Sequence, residues 1–283
     1  MNIKPCLATI KTEYSNLTNK ERKLADYILK HYDNVVLMSI GELAEKAGVV
    51  KSLIIRFCKS LGFDGYSQLK VSLSHELARN EQFNYTPYIN GEDNSSDILD
   101  KIFSANIKTL HDTAAGINRK VLNEVVDLLG KAKNIYIYGI GTSSGVANDF
   151  QYRLMQLGYT AFCFIDIVSM TVSTQNIKPG DVAIGISNSG SSIATVDTLA
   201  LARENGAKTV CLTSYPNSKI IEHSDFPIII YTDEIQYPIE ATSARIAHIS
   251  VLDTISISLS AKDYTETKER SAKTHTLINT LSY

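Results

Sequence analysis

Apolar residues recur at helical spacing through the first 79 positions. Further along they gather into short uninterrupted runs separated by helical patterns. In the head, Thr18 followed by Glu21 forms a capping-box signal, and Leu24, Ala25, Ile28 and Leu29 continue as one helix face. Ser39 and Glu42 repeat the signal ahead of a short helix that closes at Gly48, a residue able to take the left-handed conformation that ends helices. A further helix is predicted over Lys51 to Leu61, stopping at Gly62. After the Asp64-Gly65 turn another opens with Tyr66, Leu69, Val71 and Leu73.

Residues 80–97 break this pattern. They are polar and carry Pro87, Gly91 and an acidic Asn/Ser run, which predicts a linker or a surface excursion. From Ile98 two helical patterns lead to the strand-like run Ile135–Tyr138. Similar runs follow at Ala161–Ile165, Val182–Ile186, Thr209–Leu212 and Pro227–Tyr231, with helical patterns between them. Short apolar strands alternating with helices predict a parallel sheet covered on both faces. A long helix from about Glu240 to Leu259 and a helical tail beyond Lys262 follow. The expected organisation is an all-α domain over 1–79, a linker over 80–97, and an α/β domain over 98–283 with a mainly parallel five-stranded sheet flanked by helices.

Two strand ends carry candidate chemistry. The run Val182–Ile186 passes into Ser187-Asn188-Ser189-Gly190-Ser191-Ser192 and then into a helical pattern. Hydroxyls and free backbone N–H groups at a helix start suit a phosphate, because that end of a helix carries partial positive charge. The loop contains no lysine, which excludes a Walker-type nucleotide loop. The other reading is an ordinary Ser/Gly-rich turn. The strand Ile135–Tyr138 likewise runs into Gly139-Ile140-Gly141-Thr142-Ser143-Ser144-Gly145. Its glycines miss the dinucleotide fingerprint, since Ser144 stands where the third glycine belongs. The loop does bring Thr142, Ser143 and Ser144 to a helix start. If both strands are parallel neighbours, both loops open at the sheet's carboxyl edge, where ligands of open α/β folds bind.

The two short helices around Gly48 form a candidate helix-turn-helix. The second would present Lys51, Ser52, Arg56 and Lys59 outward, residues suited to phosphates and base edges, and would bury Ile54, Phe57, Cys58 and Leu61. Ser39 could hold a backbone phosphate or serve as a plain N-cap. A purely structural helical hairpin with a solvated basic face is the alternative. Charge adds modest support for nucleic acid: residues 1–80 hold 12 Lys+Arg against 8 Asp+Glu, whereas the whole chain carries a formal −2.

Composition narrows the class. A 44% hydrophobic content supports a packed core rather than disorder. No apolar run reaches the roughly 20 residues of a membrane span, and Met1 to Thr9 show no secretion signal, so a cytoplasmic protein is expected. Cys6, Cys58, Cys163 and Cys211 are far apart, which fits reduced core residues and offers no metal spacing; no cofactor is implied.

The paired loops Gly139-Ile140-Gly141-Thr142-Ser143 and Ser187-Asn188-Ser189-Gly190-Ser191-Ser192 resemble the sugar isomerase (SIS) domain. The segments Met38-Ser39-Ile40-Gly41-Glu42-Leu43-Ala44 and Arg56-Phe57-Cys58-Lys59-Ser60-Leu61-Gly62-Phe63-Asp64-Gly65-Tyr66 resemble the RpiR/MurR family of bacterial transcription regulators. The resemblance covers nearly the whole chain, and the combination is more specific than either half. It implies a helix-turn-helix joined to a SIS domain that senses a phosphosugar, with operator DNA and a phosphorylated sugar or amino sugar as partners, in a homodimer or homotetramer. It further implies that Ser143, Ser187, Ser189 and Ser192 contact the effector phosphate with Ser144 close by, and that Glu240 lies near the sugar. Two positions depart from the family pattern entering the recognition helix: Val50 and Leu53 stand where hydroxyl residues are usual.

The expected function is a transcription regulator, acting as a repressor of sugar-metabolism genes, with no catalytic residues. The rival is a sugar-phosphate isomerase using Glu240 as base and His223 or His248 for ring opening. A third reading has the helical head mediating assembly only.

Overall fold

The computed structural model describes residues 4–83, 89–232 and 242–279. Contacts divide the chain into two compact units, one spanning Met1–Gly116 with Tyr231–Ser243 and the other Ile117–Ile230 with Ala244–Tyr283.

The first unit is helical: α1 (Cys6–Glu13), α2 (Asn19–Lys30), α3 (Tyr32–Val35), α4 (Ile40–Ala47), α5 (Lys51–Ser60), α6 (Tyr66–Phe83) and α7 (Ser95–Gly116). Both predicted capping boxes form. Thr18 N–H donates to Glu21 Oε2 at 3.0 Å, and Ser39 N–H donates to Glu42 Oε2 at 2.7 Å. Gly48 ends α4 at φ 63°, a left-handed value that favours glycine. One core gathers Ile10, Leu24, Ile28, Leu43, Ile54, Phe57, Leu69 and Leu73, all fully enclosed. Helix α6 runs past residue 79 to Phe83, and α7 already begins at Ser95, so regular structure enters both ends of the polar 80–97 stretch.

A buried polar cluster ties this unit together. Glu76 Oε2 on α6 accepts the Cys6 and Leu7 N–H groups, each at 2.9 Å, at the open start of α1. Burial pushes the Glu76 carboxyl up to about 7; nearby Lys108 favours its ionised form and Asp112 opposes it. On α7 the Lys108 ammonium donates to Asp112 Oδ2 at 2.5 Å, with both side chains almost wholly enclosed.

The second unit is an α/β layer structure. Its strands are β1 (Ile135–Tyr138), β2 (Ala161–Phe164), β3 (Val182–Ile186), β4 (Lys208–Thr213) and β5 (Phe226–Ile229). They form one sheet of order β2-β1-β3-β4-β5 with every pairing parallel. Helices α8 (Arg119–Leu129), α9 (Thr142–Gln156), α10 (Ile167–Ser173), α11 (Ile193–Glu204), α12 (Lys219–Glu222), α13 (Thr242–Lys262) and α14 (Tyr264–Asn279) complete the fold. All residues of β1 and β3 are buried, as expected for central strands covered on both faces. Each strand-like run in the sequence became a strand, with the bounds of β1 and β3 as expected and the ends of the other three shifted by one or two residues. The short helices α10 and α12 lie in segments whose apolar spacing carries no helical signal. Among the described residues no helix is long and apolar enough to cross a membrane, and no group of potential ligands could hold a metal ion. Cys6, Cys58 and Cys211 are buried and Cys163 is half-buried, all as free thiols.

His248, in α13, is wholly enclosed. Burial pushes its pKa down from 6.5 to about 4, against a hydrogen bond to the Ala244 backbone that raises it. The unfolded chain takes up this proton near pH 6.5, so the stability at stake is fully present above that pH and is lost as the pH falls toward 4. His248→Leu is expected to flatten the stability curve between those values, by on the order of 3 kcal/mol at the acid end. Urea unfolding followed across this pH range checks it; a slope identical to wild type contradicts it.

Candidate functional site

The strand order reverses direction between β1 and β3, so those neighbours flank the topological switch point at which open α/β sheets bind ligands. Tyr138 pairs with Gly185, so the two strands end within a residue of each other and their loops leave the same sheet edge side by side. Helices α9 and α11 start from those loops and aim their N-termini at that edge.

After β1 the chain turns tightly. A Cβ at Gly139 would lie 3.0 Å from the Ser143 carbonyl oxygen and 3.3 Å from Ala147 Cβ, so the absence of a side chain lets the strand end press on the first turn of α9. Gly141, the N-cap of α9, has φ 57° and leaves that helix without a side-chain cap. Ser144 Oγ donates back to the Gly141 carbonyl at 2.7 Å. Ser143 is half-exposed, and its hydroxyl forms no hydrogen bond among the described residues.

After β3 the serines divide their roles. Ser187 is buried, and its Oγ accepts the Gly190 N–H at 3.1 Å, which fixes the turn. Ser189 is exposed; its Oγ accepts the Ser191 N–H at 3.3 Å and keeps its own hydrogen to donate. Ser192 is the N-cap of α11 but makes no side-chain bond to the helix backbone, and its Oγ accepts weakly from Thr195 Oγ1 at 3.4 Å. The first N–H groups of α11 thus carry no side-chain cap, in a helix of 12 residues whose dipole favours an anion there.

Gly190 is held by groups the sequence did not point to. It has φ 62°, and a Cβ there would fall 1.9 Å from Ser218 Oγ and 2.8 Å from Thr213 Oγ1. Asn188 locks the same turn from the other side: its carbonyl accepts from Thr213 Oγ1 at 3.0 Å and its Oδ1 from Ser214 Oγ at 2.6 Å. A Thr-Ser pair at the end of β4 was the available signal. The cradle is built from hydroxyls and N–H groups, with no cationic side chain in either loop. It can grip a phosphate by donated hydrogen bonds and by the helix dipole.

Glu240 lies outside the described residues. His223 is half-exposed at the end of α12, and His248 is sealed inside α13 and held neutral.

In the first unit, α4 and α5 meet through the Gly48 turn. Lys51, Ser52, Arg56 and Lys59 are exposed on α5, while Leu53, Ile54, Phe57 and Cys58 are buried on its other side. Ser39, exposed, caps α4. A Cβ built on Gly41 would meet Lys51 Nζ at 3.5 Å and Ser39 Oγ at 3.7 Å, so two predicted contact residues from different helices converge. Arg56 Nε stands 3.9 Å from Glu21 Oε1, with the guanidinium mostly exposed. An open cleft of about 940 Å³ runs between α2, α4 and α5. Its charged lining is Lys20, Lys23 and Arg56 against the single carboxylate of Glu45. Lys20 and Lys23 were missed in the sequence; their i, i+3 spacing on the exposed face of α2 was the signal. Val50 is the N-cap of α5 and supplies no side-chain bond, a deficit of about 1 kcal/mol against serine.

Comparison with known proteins matches both halves. The sequence profile described as the helix-turn-helix domain of the rpiR family matches residues 4–80, and that of the SIS domain matches residues 128–258. The chain is 31% identical to an HTH-type transcriptional regulator of Caldanaerobacter subterraneus subsp. tengcongensis over 92% of each chain. It is 31% identical to the HTH-type transcriptional regulator HexR of Escherichia coli over 88% of this chain and 86% of that one. Among solved structures, Vibrio vulnificus NanR complexed with ManNAc-6P superposes with a TM-score of 0.60 at 25% identity, covering 98% of this chain and 99% of that one. A helical head with two short helices hinged at a glycine, an α/β unit with hydroxyl-rich turns at its switch point, and these relatives agree: the chain belongs to the rpiR family of HTH-type transcriptional regulators, with an N-terminal helix-turn-helix domain and a C-terminal SIS domain.

Proposed function

We propose that the chain is a repressor of sugar-metabolism genes that binds operator DNA through α4 and α5 and senses a phosphorylated sugar or amino sugar in the cradle after β1 and β3. The observation that carries this reading is the uncapped start of α11 beside the Ser189 and Ser143 hydroxyls at the sheet's switch point. A sugar phosphate supplies the dianion for those donors, and its hydroxyls extend beyond them. NanR, a structural relative of this chain, is known as a complex with ManNAc-6P, which supports an amino-sugar phosphate as one candidate. Ser187 supports the site by bracing its turn and Ser144 by closing the first turn of α9; Glu240 is the acid proposed to face the sugar. On the DNA side, Ser39 and Lys51 would clamp one phosphate while Ser52, Arg56 and Lys59 follow the groove.

The effector acts by binding two states of a homodimer or homotetramer with different affinity, which shifts their populations and with them the hold on DNA. The protein works in the cytoplasm and needs no cofactor. The isomerase alternative gains no support from its histidines: His248 is enclosed and neutral, and the relatives above bear the names of regulators.

Three experiments test the reading. In a thermal-shift panel of sugar phosphates and their unphosphorylated counterparts, stabilisation is expected only from phosphorylated compounds. In calorimetry with a compound so found, Ser143→Ala combined with Ser189→Ala should weaken binding by roughly a hundredfold or more, since each hydrogen bond to a charged group contributes about 1.5–3 kcal/mol. Unchanged affinity would place the anion elsewhere. On duplex DNA selected by the full chain from a random library, Lys51→Ala should weaken binding across all sequences and reduce the salt slope by about one. Failure of the wild-type chain to retain any duplex removes the DNA-binding reading.

A further inference from the structure

The start of α5 holds a residue that serves neither capping nor packing. Val50 is 67% exposed and occupies the N-cap, and its side chain makes no bond to the helix it precedes. A serine there would satisfy an open N–H group and would suit the water around it better. The second departure from hydroxyl residues behaves differently: Leu53 is only 5% exposed and belongs to the packed side of α5. Val50 is therefore the one of the two that faces outward. It lines the same cleft as Lys20, Lys23, Ser52 and Arg56. Apolar exposure amid cations is unfavourable in solution and has no structural return within the unit.

The place of Val50 gives that exposure a use. In a helix-turn-helix, residues at the N-terminal end of the second helix approach base edges in the major groove. Around Val50 the cations and hydroxyls can take the phosphates and the hydrogen-bonding base edges. A branched aliphatic group can do neither, since it has no donor or acceptor. The one apolar feature displayed in the major groove of unmodified DNA is the C5 methyl of thymine. We infer that Val50 is a specificity-determining residue that packs on a thymine methyl in each half-site of the bound DNA, an inference that rests on the DNA-binding reading above. In this account the missing cap and the base preference have one cause: an apolar contact replaces a hydroxyl contact at the mouth of the groove. Ile55, 44% exposed, lies further along α5 and away from the end that enters first.

The experiment begins with duplexes selected from a random library by the full chain. Each thymine of the selected site is then replaced in turn by uracil, which removes the methyl and keeps the base pair. The wild-type chain should lose affinity roughly fourfold at one thymine per half-site, the value of one buried methyl. Val50→Ser and Val50→Ala should bind the thymine and uracil duplexes equally, and Val50→Ser should melt no lower than wild type. If the wild-type chain binds its selected site but every uracil duplex equally well, or if both variants keep the methyl dependence, the inference is overturned while DNA binding stands. If no duplex is retained, the DNA-binding reading fails and takes this inference with it.

Discussion

An anion held without a cation has to be held by oriented dipoles, and a parallel sheet is a way to orient them. Because every pairing in the sheet is parallel, the strands all end at one edge, and the helices that follow them all begin there. The reversal of strand order between β1 and β3 leaves α9 and α11 diverging from neighbouring strands, so two helix starts face one crevice. The rest of the second unit serves this placement. The buried residues of β1 and β3 fix where the strands stop, Gly139 lets the first loop lie against α9, and Gly190 fits between Ser218 and Thr213 without a side chain. Ser187 and Asn188 spend their polar groups on the turn, which leaves Ser189, Ser192 and the first N–H groups of α11 facing outward.

The first unit solves a different problem with similar means. Helix α5 is short, and its orientation depends on the turn before it. Gly48 supplies the left-handed residue, Ser39 and Glu42 fix the start of α4, and Phe57 and Ile54 anchor α5 to the core. Basic side chains then need only be solvated, which costs little, and their field is available to a polyanion. The buried Glu76 joins α6 to the start of α1, and a carboxyl raised to about 7 there records how far that junction is from water.

Periodicity and caps made most of this legible in the sequence. Thr18/Glu21 and Ser39/Glu42 are local signals, so the helices they open formed where expected. The five strand runs were equally clear, because buried parallel strands are apolar on both faces. What could not be read were features set by distant residues or by unfavourable local patterns. Helix α10 exposes Ile167, Val168 and Val172 while it buries Ser173, the reverse of the usual signal. The division of labour between Ser187 and Ser189 depends on which oxygen the Gly190 N–H meets. The need for glycine at that position comes from Thr213 and Ser218, more than twenty residues away. In the basic cleft of the first unit, Lys20 and Lys23 were hidden because they lie on α2, outside the two helices that mark the motif.

The central claim is that one chain binds a phosphorylated sugar and an operator with linked free energies, and linkage has to be reciprocal. The most direct measurement determines operator affinity with and without saturating ligand, and ligand affinity with and without operator, on the same full-length protein. The account predicts that both affinities change by the same factor, about 5–150-fold for a typical allosteric coupling. Operator affinity that stays constant while the cradle is shown to be saturated would contradict it.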